Sequence, residues 1–108
     1  MLREFARLVG SMVRGEDVMC RVGGEEFALL MRGTDRSGAV VVCERLREAI
    51  AGHTFELCGG KTLTVTASFG VAELEVARHP TPAALVEEAD MLLYAAKRGG
   101  RNQIQWRK

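Results

Sequence analysis

Val18-Met19-Cys20-Arg21-Val22-Gly23-Gly24-Glu25-Glu26-Phe27-Ala28-Leu29-Leu30-Met31 is the stretch that decides the fold. Its first half alternates, with Val18, Cys20 and Val22 on one face and Met19 and Arg21 on the other, as a strand with one covered face does. Its second half, residues 27–31, is apolar throughout, as for a strand covered on both faces. The two glycines and two glutamates between them make a tight connection. The spacing therefore predicts one β-hairpin over 18–31 with Gly23 and Gly24 near its tip.

Working outward, Leu2, Phe5, Ala6, Val9, Met12 and Val13 recur at helical spacing and predict a helix over residues 2–14. Downstream, Thr34 or Asp35 can cap a second helix that Gly52 ends. Ala39, Val42, Cys43, Leu46, Ala49 and Ile50 form its apolar stripe. Phe55 and Leu57 begin a short strand, followed by a turn at Gly59-Gly60. Leu63, Val65, Ala67, Phe69 and Val71 then alternate with Thr62, Thr64, Thr66 and Ser68, which predicts a strand across 62–71. Pro80 and Pro82 mark a loop, with Thr81 as cap and Pro82 at the first helical position. Leu85, Val86, Ala89, Leu93 and Ala96 give the buried face of the third helix. Gly99-Gly100 ends it, and a last strand covers 102–106. The order α-β-β-α-β-β-α-β predicts an α+β fold, an antiparallel sheet covered by helices.

The chain has 108 residues, enough for one small domain, with 47% hydrophobic and 27% charged residues. A formal charge of +1 supplies no bulk attraction to nucleic acid or an anionic membrane. No run approaches the ~18 apolar residues of a membrane span. Arg3, Glu4 and Arg7 interrupt any signal-peptide core. The three cysteines, Cys20, Cys43 and Cys58, lack Cys-x-x-Cys spacing, and are expected to be small buried hydrophobes in a reducing cytoplasm. His53 and His79 have no partner nearby in sequence and are expected at the surface. Gly60-Lys61-Thr62 imitates the tail of a P-loop, but Phe55 stands where the leading glycine belongs and a strand follows in place of a helix.

Two adjacent carboxylates at a glycine-rich tip are hard oxygen ligands suited to Mg²⁺ beside a phosphate; taken alone, they also fit a plain turn with two solvated glutamates. Three tracts together are more specific. Arg21 to Leu30, Thr66-Ala67-Ser68-Phe69-Gly70-Val71-Ala72 and Ala89-Asp90-Met91-Leu92-Leu93-Tyr94-Ala95-Ala96-Lys97-Arg98-Gly99-Gly100-Arg101-Asn102 occur in the right order. Together the chain closely resembles the GGDEF diguanylate cyclase family, in its GGEEF form, over essentially all of residues 1–108.

The resemblance implies a ferredoxin-like, nucleotidyl-cyclase palm-type fold and a bacterial cytoplasmic enzyme of second-messenger signalling. It would be a nucleotidyltransferase that condenses two GTP into cyclic di-GMP as a homodimer, with Mg²⁺ or Mn²⁺. Glu25 and Glu26 would be the catalytic, metal-holding carboxylates, with Gly23 and Gly24 close to the nucleotide. Lys97 and Arg101, spaced i, i+4 at the end of the last helix, would contact the triphosphate; as bare helix-end cations they would only answer the macrodipole. Arg14-Gly15-Glu16-Asp17 matches the family's RxxD product-inhibition site, with Arg21 as a further contact. A guanidinium can bond a guanine edge bidentately. The family's first strand carries a metal-binding Asp, yet the only aspartates are Asp17, Asp35 and Asp90. Residues 1–108 are thus expected to be the C-terminal portion of the domain, lacking the first strand. The competing function is a catalytically inactive module of the same family that binds cyclic di-GMP.

Overall fold

The computed structural model describes residues 2–13, 18–23, 26–31 and 33–107, with residues 2, 18–23, 26 and 27 described by their backbone. The elements are α1 (Leu2–Gly10), β1 (Val18–Gly23), β2 (Glu26–Leu30), α2 (Arg36–Ala51), β3 (Phe55–Glu56), β4 (Thr62–Leu63), β5 (Phe69–Val71), α3 (Pro82–Arg98) and β6 (Ile104–Trp106). The α+β class is as expected.

The helix boundaries follow from local chemistry. Asp35 caps α2 by accepting from the Gly38 amide at 2.8 Å, and Gly52 closes it by donating its amide to Glu48 O at 3.0 Å. Thr81 caps α3 in the same way through the Ala84 amide, and Pro82 occupies the first turn, where no amide is needed. α1 ends at Gly10, sooner than the hydrophobic spacing to residue 14 suggests.

The core has two clusters. Val9, Leu46, Ile50 and Phe55 form one, flanked by Phe5, Leu29, Val65 and Ala67; Cys43, Val71 and Ile104 form the other. Phe69 packs against both and joins them. Burial pushes the Cys43 thiol up to about 12, which keeps it neutral and unreactive. Cys58, by contrast, lies exposed in the short 3-10 turn Cys58–Gly60, so the expectation of buried cysteines fails there. Val86, assigned to the buried face of α3, is 57% exposed, whereas Ala96 on the same helix is fully buried.

The strands form three two-stranded ladders: β1–β2 and β3–β4 antiparallel, and β5–β6 parallel with α3 as the crossover. The run 62–71, expected as one strand, is divided between two of them. Residues 64–68 keep the alternation, with Val65 and Ala67 half-buried and Thr64 and Thr66 exposed, but no strand lies beside them among the described residues. Alternation sets the faces of a strand, while a ladder also needs a neighbour.

α3 lies directly on β5 at Gly70. A Cβ there would come within 2.3 Å of Ala89 O and 2.4 Å of Leu93 N. The requirement is space, since both neighbours are helix backbone and cannot swing aside. Gly70→Ala should therefore destabilise the protein by about 3 kcal/mol, the upper end for overpacking. The check is the midpoint of chemical denaturation, and an unshifted midpoint would refute the close approach.

Candidate functional site

The β1–β2 ladder runs from Val18↔Leu30 to Gly23↔Glu26, with a register shift between Arg21 and Gly23. A bulge at this place increases the local twist of the hairpin. Gly23 and Glu26 form its closing rung, so the backbone of the expected nucleotide-side glycine faces that of the expected metal-side glutamate. Arg21 lies on the same strand. Gly24, Glu25, Arg14 and Asp17 fall outside the described residues. Among the described residues no group of three or more His, Cys, Asp or Glu is arranged to hold a metal.

The cationic half of the candidate site is built by the end of α3. The Arg101 amide donates to Ala96 O at 3.0 Å and the Gly100 amide to Lys97 O at 3.4 Å. These are the two bonds of a Schellman closure, with Gly100 at φ 117 supplying the reversal. Lys97 is in the last helical turn, while Arg101 lies three residues beyond the helix in a left-handed conformation, φ 64. The i, i+4 argument for the pair therefore does not apply, because it presumes continuous helix. The closure instead folds the Arg101 backbone back against the turn that bears Lys97.

Asn102 is also left-handed, φ 50. Its amide donates to Ser68 Oγ at 3.0 Å, and its Oδ1 accepts from Arg47 Nη1 of α2 at 3.0 Å. Beside this turn a cleft of about 190 Å³ is lined by Asp90, Leu93, Tyr94 and Lys97. Arg98 Nη1 donates to the Tyr94 hydroxyl at 3.1 Å and its guanidinium lies 5.7 Å from the ring centroid.

A larger cleft, about 430 Å³, lies at the other end of α3 between Arg78, His79, Glu87, Glu88, Met91 and Arg107. Arg78, His79, Glu88 and Arg107 are engaged in ion pairs there. His79 is buried, contrary to the surface position expected from sequence. Its Nδ1 accepts from the Glu75 amide at 2.9 Å, which leaves the proton on Nε2, 3.3 Å from Glu88 Oε2. Burial pushes the Glu88 carboxyl up, but bonds from His79 and Arg78 outweigh it and hold the group below the usual carboxylate range. Glu75 is paired with Arg107, Arg36 and Arg78. This is an ion-pair cluster that ties the loop before α3 to the C-terminal strand.

His53 has a partner as well. Its Nε2 lies 2.6 Å from Glu4 Oε2 and its ring meets Phe55 edge-on at 4.5 Å. Glu4 also accepts from the Glu56 amide, so α1 is clamped to the end of α2 and to β3. Sequence reasoning missed both histidine pairs, since their partners lie on other elements.

The family profile "Diguanylate cyclase, GGDEF domain" matches residues 1–103. The response regulator PleD of Caulobacter vibrioides is 41% identical over 105 residues, covering 96% of this chain and 23% of PleD. The diguanylate cyclase SiaD of Pseudomonas aeruginosa, solved with its activator SiaC, superposes with a TM-score of 0.88 at 38% identity, covering 98% of this chain and 40% of that one. The GGDEF domain of DgcB from Caulobacter crescentus, solved with c-di-GMP, gives 0.85 at 28% identity, covering 96% of this chain and 61% of that one. The chain thus spans about a quarter of the length of PleD.

Proposed function

Because the chain belongs to the GGDEF family of diguanylate cyclases, we propose that the complete protein condenses two GTP into cyclic di-GMP with release of two pyrophosphates. The observation that carries this reading is the hairpin whose closing rung, Gly23↔Glu26, frames the GGEEF tract. Two domains, each presenting one GTP, act as a homodimer. The 3′-hydroxyl oxygen of one nucleotide forms a bond to the α-phosphorus of the other, and the bond from that phosphorus to pyrophosphate breaks. The reciprocal step closes the ring.

Glu25 and Glu26 would hold the divalent metal. The donor set fits a hard cation in kind, but two carboxylates leave most of the coordination to phosphate and water, the usual arrangement for Mg²⁺ at a nucleotide. When bound, the metal offsets charge on the phosphoryl oxygens and the leaving group. Gly23 and Gly24 let the backbone approach the nucleotide, since no side chain intervenes. Lys97 and Arg101 bind and orient the triphosphate, and positioning of this kind supplies much of the catalysis in phosphoryl transfer. Arg14 and Asp17, with Arg21, bind the product away from the catalytic tip and limit synthesis. A cytoplasmic location follows from the substrate, and among the described residues no helix is long and apolar enough to cross a membrane.

The test is incubation of the complete protein with GTP and Mg²⁺. Cyclic di-GMP should accumulate with pyrophosphate; binding of cyclic di-GMP without synthesis would replace this reading by that of an inactive sensor module. Titration calorimetry should further show that Arg14→Ala weakens cyclic di-GMP binding at least about tenfold. Equal affinity in the two proteins would remove the inhibitory assignment.

A further inference from the structure

We propose that Arg47 is a positioning residue that holds the turn carrying Arg101 in the conformation needed to meet the triphosphate. The inference rests on the reading of Lys97 and Arg101 as phosphate contacts given above. Arg101 and Asn102 are consecutive non-glycine residues at positive φ, 64 and 50. Such backbone is costly for an arginine and persists only where the surroundings hold it. The Schellman closure fixes the Arg101 amide, but it reaches no further along the chain than that residue. Beyond it Gln103 Nε2 donates to Arg101 O at 3.3 Å and the Phe69 amide to Gln103 O at 2.9 Å. Among the described residues the tie to α2 runs through Asn102, which is held by Ser68 on one side and Arg47 on the other.

Arg47 is itself fixed. Its Nε lies 3.2 and 3.1 Å from the two Glu44 carboxylate oxygens, and Nη2 lies 2.5 Å from Oε1. Glu48 Oε1 adds a longer contact at 3.9 Å. With Nε and Nη2 spent on Glu44, Nη1 is directed to Asn102, 55 residues away in sequence. The hydrogen bond from Arg47 holds the Glu44 carboxyl below the usual carboxylate range, so the fork stays charged at neutral pH. One planar group thus joins α2 to the turn between α3 and β6. A lysine cannot reproduce this, because its single ammonium has no fork to divide between two partners.

The test compares GTP with GMP in the complete protein, since only a defect in the triphosphate grip separates the two. Arg47→Ala and Arg47→Lys should each raise the KM for GTP about tenfold while leaving GMP affinity and the melting temperature close to wild type. Asn102→Ala removes the acceptor without touching α2 and should give the same pattern, so a poorly folded Arg47 variant would not leave the matter open. An unchanged KM in both Arg47→Lys and Asn102→Ala, or equal loss of GTP and GMP binding, would overturn the inference. Lys97→Ala and Arg101→Ala separate the two levels. If these weaken GTP binding while the Arg47 and Asn102 variants do not, only the positioning role falls; if they do not weaken it, the phosphate reading falls and the inference with it.

Discussion

Replacing Glu25 by alanine in the complete protein should lower cyclic di-GMP synthesis by at least about a thousandfold while changing stability by no more than about 0.5 kcal/mol. The asymmetry comes from where the residue sits in the sequence relative to the ladder. Glu25 lies in sequence between Gly23 and Glu26, the two residues of the closing rung, and a glutamate in such a connection is expected to add little to packing. Its proposed work is electrostatic. A phosphoryl transfer that cannot offset charge on the departing pyrophosphate loses most of its acceleration. Measured turnover of the folded variant decides the matter, and a rate near that of the parent would end the proposed role of Glu25 as metal ligand.

Produced alone, residues 1–108 should neither turn over GTP nor remain monomeric. Among the described residues β2 pairs only with β1, and β5 only with β6. Between β4 and β5, residues 64–68 join no ladder among the described residues, and the large side chains Leu30 and Leu63 are 55% and 40% exposed. The molecule is correspondingly open: its radius of gyration is 14.3 Å with extents of 51 × 32 × 24 Å, against about 13 Å for a compact chain of this length. The DgcB domain is considerably longer, this chain covering 61% of it. The family resemblance assigns to the additional part an interior strand and a metal-binding Asp. Open apolar edges recruit other strands, so size-exclusion chromatography should show dimers or larger species, with no turnover in the same fractions. A monomeric, active 108-residue protein would refute the argument.

Local chemistry was the legible part of the sequence. Asp35 and Thr81 accept from amides three residues on, Gly52 and Gly99 donate their amides to carbonyls within the preceding turn, Pro82 fits a position that needs no amide, and each helix they bound was visible in advance. The hairpin was legible for the same reason, its partner strands being separated by two residues. What escaped was decided across the fold. His79 is buried because Glu88 and the Glu75 amide meet it there. Residues 64–68 carry a strand's pattern and, among the described residues, have no strand as neighbour. Arg101 looked helical by spacing, but the reversal at Gly100 removes it from the helix. In the candidate site, residue types and order could be read, while the Arg47–Asn102 bond could not, since nothing in the sequence links positions so far apart.

The division of strands into separate ladders also bears on how the protein acquires its shape. β1 and β2 are separated by two residues in sequence and need little chain closure. β5 and β6 must wait for all of α3 to be made and packed on Gly70, a non-local event with a larger loop entropy to overcome. The proposed carboxylates and cations are therefore carried by pieces that consolidate separately. Amide hydrogen exchange should report this directly, with the hairpin amides of β1–β2 opening independently of those of β5, α3 and β6. The catalytic arrangement would be completed by docking, the last event of folding and the first to be undone.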